Sequence, residues 1–162
     1  MTSDMFLKLG DIKGESRDQQ HKDEIDINTL RWTMSQSGTM HTGSGGGAGK
    51  VSIGNLSIGK FMDRSSPNLM AACSSGKHYP EATLSVRKAS GSNPLEYVVF
   101  KLKEVMVSSY STEGEPADDI LHEVISLNFA RVEVSYQPQN ADGGKDGGII
   151  KYGWNIRENV KI

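Results

Sequence analysis

The sequence predicts a mainly β fold, an antiparallel barrel or sandwich with one short helix. Apolar residues alternate with polar ones in most segments, which is the period of a half-buried strand. Glycine accounts for 18 of the 162 residues and only 36% are hydrophobic, a composition typical of short strands joined by turns. A single segment carries both the start and the stop signals of a helix. A chain of this length is predicted to form one domain.

Alternating apolar sets place the strands of the N-terminal half. In chain order these sets are Met5, Leu7 and Leu9; Ile25 and Ile27; Leu30, Trp32 and Met34; Val51 and Ile53; and Leu56 and Ile58. The parity changes near Asn28–Thr29 and again at Gly54–Asn55, and each change predicts a bulge or turn that keeps the apolar side inward. The charged segment 10–24 is predicted to be a solvated loop.

Residues 64–77 predict the helix. Ser66 is a good N-cap, Pro67 suits the first helical position, and Gly76 can end the helix. The apolar residues that fall on one helical face are Leu69, Ala72 and Cys73. A thiol in such a position is predicted to be an inert core residue and not a nucleophile.

Strand patterns resume after the helix and continue to the C-terminus. The segment 95–111 is rich in β-branched and aromatic residues, which favours a strand. The other apolar sets are Ala82, Leu84 and Val86; Ile125, Leu127 and Phe129; Ala130, Val132, Val134 and Tyr136; and Ile150, Tyr152, Trp154 and Ile156. The parity change at Phe129–Ala130 predicts a bend within one long strand.

Charge and cysteine content disfavour several classes of function. The formal net charge is -2, so the chain lacks the overall positive field that attracts nucleic acids or anionic membranes. The single cysteine cannot form an internal disulfide, which favours folding in the cytoplasm. No signal peptide or membrane span is recognisable. The four histidines are far apart and none shows a zinc-site spacing, so no metal is predicted.

The glycine-rich stretch "HTGSGGGAGK", residues 41–50, could hold a nucleotide phosphate or act as a flexible arm. As a P-loop it is incomplete, because Ser44 stands where a glycine is required and Val51 where a hydroxyl is required. The pattern Gly43-x-Gly45-x-x-Ala48, with Asp63 further on, fits a lenient dinucleotide fingerprint. That fingerprint needs a following helix, whereas residues 51–61 predict strands. A nucleotide- or small-ligand-binding β-barrel enzyme is therefore the alternative hypothesis.

Several segments together resemble a known family. They are "MFLKLGDIKGES", "MSQSGTMHTGSGGGAGKV", "SPNLMAACSSGKHYPEATLSVRKA", "LKEVMVSSYSTEG", "ISLNFARVEVSYQPQ" and "DGGKDGGIIKYGWNI". In this order, over almost the whole chain, they resemble the haemolysin-coregulated (Hcp) proteins, the tube subunits of bacterial type VI secretion systems. Each segment alone is a weak signal, but the series is specific.

The resemblance implies a β-barrel of two antiparallel sheets with one flanking helix, a single tube domain over residues 1–162 with no C-terminal extension domain. It implies a hexameric ring that stacks into a hollow tube and is exported from the bacterial cytoplasm without a signal peptide. The implied partners are a spike protein, a contractile sheath and secreted effector proteins carried in the lumen, with no nucleic acid and no membrane insertion. No catalytic residue and no cofactor belong to such a protein. The resemblance leaves open a second role, in which soluble rings act mainly as chaperones for effector proteins.

Two sets of site residues follow. The resemblance implies that the glycine stretch is the arm by which one subunit reaches its neighbour, and the interface residues expected there are Ser37, Gly38, Met40, His41, Gly43, Gly45, Gly46, Gly47, Gly49 and Lys50. If Leu30, Trp32 and Met34 face the core, alternation turns Thr29, Arg31 and Thr33 the other way, and in a ring such a face can line the hole. Arg31 would then favour acidic cargo, although an outer-wall position is equally compatible with the pattern.

Overall fold

The computed structural model describes residues 3–38, 40, 48–88 and 94–162. The strands, in chain order, are β1 (Ser3–Leu9), β2 (Ile25–Ile27), β3 (Thr29–Arg31), β4 (Met34–Gly38), β5 (Ala48–Ile53), β6 (Leu56–Phe61), β7 (His78–Lys88), β8 (Leu95–Glu113), β9 (His122–Tyr136), β10 (Ile150–Asn155) and β11 (Val160–Lys161). These residues contain one helix, α1 (Ser66–Ser75). The prediction of a mainly β fold with one short helix is confirmed.

Antiparallel pairing closes the strands into a barrel. β1 pairs with β7, β7 with β8, β8 with β9, β9 with β6 and β6 with β3. β2 pairs with β1 and continues into β3 through Asn28, whose backbone N–H donates to the carbonyl oxygen of Gly59 at 2.7 Å. The circuit is therefore complete, and closure removes most of the unpaired strand edges that favour aggregation.

The two longest strands divide the barrel into two sheets. One edge of β9 pairs with β6 along its N-terminal half and with β10 along its C-terminal half. Sheet I consists of β3, β6 and the adjoining halves of β9 and β8. Sheet II consists of β2, β1, β7, the other halves of β8 and β9, and the β10–β11 pair. Because both sheets cover the same core with their inner sides, their outer sides point away from each other.

The core lies between the inner sides of the two sheets. Fully buried side chains from sheet I include Leu56, Ile58 and Ile125, and they belong to one cluster with Leu7 and Leu84 of sheet II. Burying each such side chain contributes roughly 1.5–3 kcal/mol to folding. The predicted alternation at these positions is confirmed, including the parity change at Phe129–Ala130, since buried residues switch there from odd to even numbers.

The predicted break at Asn28–Thr29 is confirmed, but the inward position of Met34 is wrong. β2 ends at Ile27 and β3 begins at Thr29. Met34 is 45% exposed, because the chain leaves the barrel after Trp32 and β4 pairs only with β5 in a separate two-stranded sheet. The apolar pattern of 51–61 is likewise split between two different sheets at Gly54.

The helix forms one residue away from its predicted start. Ser65 is the N-cap and Ser66 the first helical residue. The Ser66 hydroxyl does not cap the helix; it is fully buried and donates to Glu123. The stop signal is confirmed, since Gly76 has φ 65°, a left-handed conformation that glycine adopts without strain. Leu69 and Ala72 are buried, whereas Cys73 is a free, partly buried thiol at the rim of the core.

The last strands reach beyond the core. Ile150 lies directly opposite Tyr136, and the two are 64% and 46% exposed, so their predicted inward positions are wrong. The alternation of apolar residues does not show where a sheet extends beyond the core that covers it. Ile150 and Tyr136 lie at an end of the sheet that extends in this way. β11, which pairs with Trp154 and Asn155 of β10, is not predicted by the sequence pattern.

An ion pair anchors the charged loop 10–24 to sheet II. The Arg87 guanidinium is 5% exposed, contacts Asp18 and Asp4, and lies 5.0 Å from the centre of the Phe6 ring. On its other face Phe6 stacks on His21 at 4.3 Å. The hydrogen bond from Arg87 lowers the pKa of Asp18 to about 2. The loop is therefore solvated, as predicted, but fixed at its centre.

Replacing Asp18 by asparagine is expected to lower the free energy of unfolding near neutral pH by about 1–2 kcal/mol, because the Arg87 charge loses its main partner. The folded-state pKa of Asp18 lies below its unfolded value, so its contribution is present above pH ~4 and lost as the pH falls toward ~2. Urea unfolding at pH ~7 and pH ~2.5 checks this. A difference between variant and wild type that stays constant across this range would contradict it.

Candidate lumen and assembly surfaces

The outer side of sheet I carries a continuous set of small hydroxyl side chains. In one cross-strand row Arg31 lies opposite Ser57, Ser57 opposite Ser126 and Ser126 opposite Ser109. Residues directly opposite in an antiparallel sheet share a face, and the Ser57 and Ser126 hydroxyls are 3.1 Å apart. The row therefore forms a polar band across four strands. We call the outer side of sheet I the hydroxyl face.

A second row lies beside the first on the hydroxyl face. Thr29 lies opposite Gly59, Gly59 opposite Val124 and Val124 opposite Ser111. A Cβ at Gly59 would lie 2.2 Å from the Thr29 hydroxyl oxygen, so the absence of a side chain there lets Thr29 lie close to the strand. Val124 is the exposed apolar member of this row, at 48%. A third row on the same side, Phe61 opposite His122 and His122 opposite Glu113, adds an exposed aromatic and an acidic side chain, and the rest of the face is neutral and hydrophilic apart from Arg31 and Val124.

Arg31 provides the positive charge of the hydroxyl face. Its side chain is exposed, and it makes no salt bridge with any residue in the described part of the chain. The structure thus places Thr29 and Arg31 together, as alternation predicted. Thr33 lies after the end of β3, where its carbonyl oxygen accepts from the Gly54 N–H at 2.9 Å, so it belongs to the base of the β4–β5 sheet.

The β4–β5 sheet lies on either side of the glycine stretch and is separate from the barrel sheet, and we call it the arm. All five residues of β4 are exposed, and neither strand pairs with the barrel among the described residues. Trp32 fixes the base of the arm, because its Nε1 donates to the Gly54 carbonyl oxygen at 3.1 Å and its ring packs against Phe100. An isolated two-stranded sheet is only marginally stable in water.

The predicted interface residues are distributed along this arm. Ser37 and Gly38 lie in β4, Gly49 and Lys50 in β5, and Met40 is 75% exposed beyond the end of β4. The remaining predicted residues, His41, Gly43, Gly45, Gly46 and Gly47, lie outside the described residues. The described members are solvent-facing in the isolated subunit, and their role in an interface stays a prediction.

The nucleotide-binding alternative lacks its structural context. Residues Ala48–Ile53 form a strand and not a helix, so no helix N-terminus follows the glycine pattern to meet a pyrophosphate. Asp63 accepts from the Ser65 N–H at 2.9 Å and pairs with Lys60 at 2.9 Å, so it is engaged inside the fold. Within the described residues no group of three or more His, Cys, Asp or Glu side chains is placed to hold a metal ion.

A buried polar cluster lies between sheet I and the helix. The Lys60 ammonium is 2.8 Å from Glu123 Oε1, and both side chains are fully buried. Glu123 also accepts from the hydroxyls of Ser66 and Tyr110. Burial raises the pKa of Tyr110, and the neighbouring Glu123 carboxylate raises it further. Every member has a partner inside the fold, so the cluster positions the helix and offers no open site for a substrate.

The comparisons with known proteins agree with this architecture. A model of the family "Type VI secretion system effector, Hcp" matches residues 6–136. Protein hcp1 of Pseudomonas aeruginosa is 61% identical over 161 residues, which are 99% of each chain. The chain belongs to the Hcp family of type VI secretion systems.

Solved structures of Hcp proteins share the whole fold. Hcp1 from Salmonella typhimurium is 36% identical and superposes with a TM-score of 0.80, covering 100% of both chains. A protein described as a type six secretion system protein is 30% identical with a TM-score of 0.93, covering 99% of this chain and 100% of that one. No helix in the described residues is long and apolar enough to span a membrane.

Proposed function

We propose that this Hcp protein is a tube subunit that forms hexameric rings, and that these rings stack into a hollow tube exported with effector proteins in its lumen. The hydroxyl face carries the proposal. A wall of short hydroxyl side chains gives a protein cargo hydrogen-bonding groups without a large apolar patch to hold it. Such a face suits transient contact with a folded effector during transport.

The assignment of the hydroxyl face to the lumen rests on the polarity of that side of the barrel. Sheet I presents an extended polar outer side with little charge, and a ring in which this side faces inward has a smooth bore. Six copies of Arg31 would form one positively charged ring within it, and a confined field of one sign attracts oppositely charged proteins. We therefore propose that the lumen favours effectors with an acidic surface.

The arm is proposed to connect copies of the subunit. Its two strands lack a supporting layer in the subunit, and ordering them costs roughly 1–2 kcal/mol per residue in backbone entropy. Contact with a neighbouring copy would offset that cost by covering the exposed Met34 and Met40 side chains, which are 45% and 75% exposed. Ser37, Gly38, Gly49 and Lys50 would then lie at the interface.

The wider role follows from the same proposal. Residues 1–162 are one tube domain, made in the bacterial cytoplasm and exported by the type VI machinery. Its partners would be further rings, a spike protein, a contractile sheath and the effectors. No catalytic step is assigned to the chain, because the buried polar cluster is closed and the glycine stretch is followed by a strand.

Electron microscopy of the purified protein, together with light scattering, tests the assembly. We expect hollow rings whose mass in solution is six times the 17.6 kDa of one chain. The cofactor alternative is tested in parallel by calorimetric titration with ATP and NAD, from which we expect no heat of binding. A monodisperse monomer across the accessible concentration range would contradict the proposal.

Replacing Arg31 by glutamate is expected to leave ring formation intact and to reduce co-purification of an acidic effector by at least about tenfold, because the charge ring changes sign. Co-purification at ~50 mM and ~300 mM salt measures this, since screening weakens the wild-type interaction. Arg17, an exposed arginine of the loop 10–24, provides the matched control when it is also replaced by glutamate. Equal loss in both variants would place Arg31 away from the cargo.

A further inference from the structure

The outer side of sheet II differs sharply in charge from the hydroxyl face. Cross-strand pairing places Lys8, Thr83, Lys101 and Glu133 in one row, and Glu81, Lys103 and Arg131 in the next. Lys151, two residues before Gly153 on the neighbouring strand, shares this side. In these two rows and at Lys151 the exposed basic residues are therefore Lys8, Lys101, Lys103, Arg131 and Lys151, against Glu81 and Glu133, whereas the carboxylates Asp4, Asp26 and Glu96 lie toward the other end of the same side, beside the loop 10–24. We call this set of seven charged residues the cationic face.

The cationic face is poorly neutralised within the subunit. Its salt bridge among the described residues joins Lys103 to Glu81 at 3.6 Å, with both side chains about half exposed. Lys8, Lys101, Arg131 and Lys151 make no salt bridge with any described residue. The chain as a whole has a formal charge of -2, so the excess of positive charge is local to this part of the surface.

One pair on this face is unfavourable for the subunit itself. Lys103 lies directly opposite Arg131 in the β8–β9 register, and like charges in such positions destabilise a sheet. Arg131 makes no salt bridge with any described residue. A repulsive pair that lowers the stability of the free subunit becomes favourable when an anionic surface lies over both side chains.

We propose that the cationic face is a docking surface for a partner protein with an acidic surface, on the outside of the assembled ring. The position on the outside rests on the proposed function, because sheet II points away from the sheet assigned to the lumen. That the partner protein has an acidic surface is inferred only from the charges of the cationic face. Such a contact is polar, so we expect it to be reversible and sensitive to salt.

The experiment measures binding of the purified protein to immobilised poly-L-glutamate, with polyuridylate as a second probe. The double variant Lys101→Glu/Arg131→Glu is compared with Lys13→Glu/Lys22→Glu, which reverses two exposed lysines of the loop 10–24. We expect the first variant to bind poly-L-glutamate at least about tenfold more weakly and the second to bind like the wild type. Electron microscopy of each variant separately reports whether rings form.

A neutral variant separates binding from stability. Arg131→Gln removes the repulsion from Lys103, so its Tm is expected to equal or exceed that of the wild type while its affinity for poly-L-glutamate falls. A merely structural arginine would lower both. Binding of polyuridylate as tight as that of poly-L-glutamate, or unchanged binding by Lys101→Glu/Arg131→Glu, would overturn the docking proposal. Absence of rings in the wild type would instead overturn the proposed function and leave the binding result readable.

Discussion

Replacing Lys60 by methionine is expected to lower the free energy of unfolding by about 3–5 kcal/mol, because it leaves a buried carboxylate without its counter-charge. Glu123 is fully buried, and Lys60 is its charged partner at 2.8 Å. Methionine preserves most of the aliphatic volume, so the loss reports the charge and not a cavity. Urea denaturation followed by circular dichroism measures the change.

Two further variants make that result interpretable. Glu81→Gln breaks the exposed pair with Lys103, in which both side chains are about half exposed, and is expected to cost less than about 1 kcal/mol. The double variant Lys60→Met/Glu123→Leu removes both buried charges and is expected to recover much of the lost stability. A loss for Lys60→Met no larger than that for Glu81→Gln would show that the buried pair contributes little.

The buried pair also determines where the helix lies. Lys60 contacts Asp63 as well as Glu123, and Ser66 at the start of α1 donates to the same carboxylate. The first turn of the helix is thus attached to β6 and β9 by charged groups that only one arrangement satisfies. This supports a specific position for the helix on the barrel.

The sequence pattern places Lys60 and Glu123 in inward positions, but alternation alone does not show whether these two charged residues are buried. Lys60 continues the inward parity of Leu56 and Ile58, and Glu123 that of Ile125 and Leu127. A charged residue at the end of such a series is normally predicted to mark the end of burial, because a lone buried charge is strongly unfavourable. Only the pairing of β6 with β9, which brings Lys60 opposite Glu123, makes both positions possible. That register is a long-range property that local patterns do not contain.

The hydroxyl face was predictable only in part. Alternation placed Thr29 and Arg31 outward, because they flank Leu30, which belongs to the inward apolar set. It did not single out Ser57, Ser109, Ser111 and Ser126, since an isolated outward serine is indistinguishable from any solvated position. The strand order brings these serines, from three separate strands, into two rows with Thr29 and Arg31 of a fourth, and the surface exists only after the barrel has closed.

Replacing Gly49 by valine is expected to abolish rings while leaving the barrel folded. A Cβ at this position would lie 2.7 Å from the Ser37 carbonyl oxygen, a distance at which the backbone of β4 must move, so the two strands of the arm separate. The arm is a separate two-stranded sheet, and we therefore expect the free energy of unfolding of the barrel to change by less than about 1 kcal/mol. Light scattering and electron microscopy measure the loss of rings, which we expect to exceed about tenfold.

Gly148 provides the matched control for the arm. A Cβ there meets no described atom within 4 Å, so Gly148→Val adds the same side chain at an exposed loop position without displacing a strand, and rings are expected at the wild-type yield. Rings of normal yield from Gly49→Val would mean that contacts between barrels suffice for assembly. Loss of rings in Gly49→Val with an unchanged unfolding transition would instead show that the exposed arm, which contributes little to the fold of its own subunit, is required between subunits.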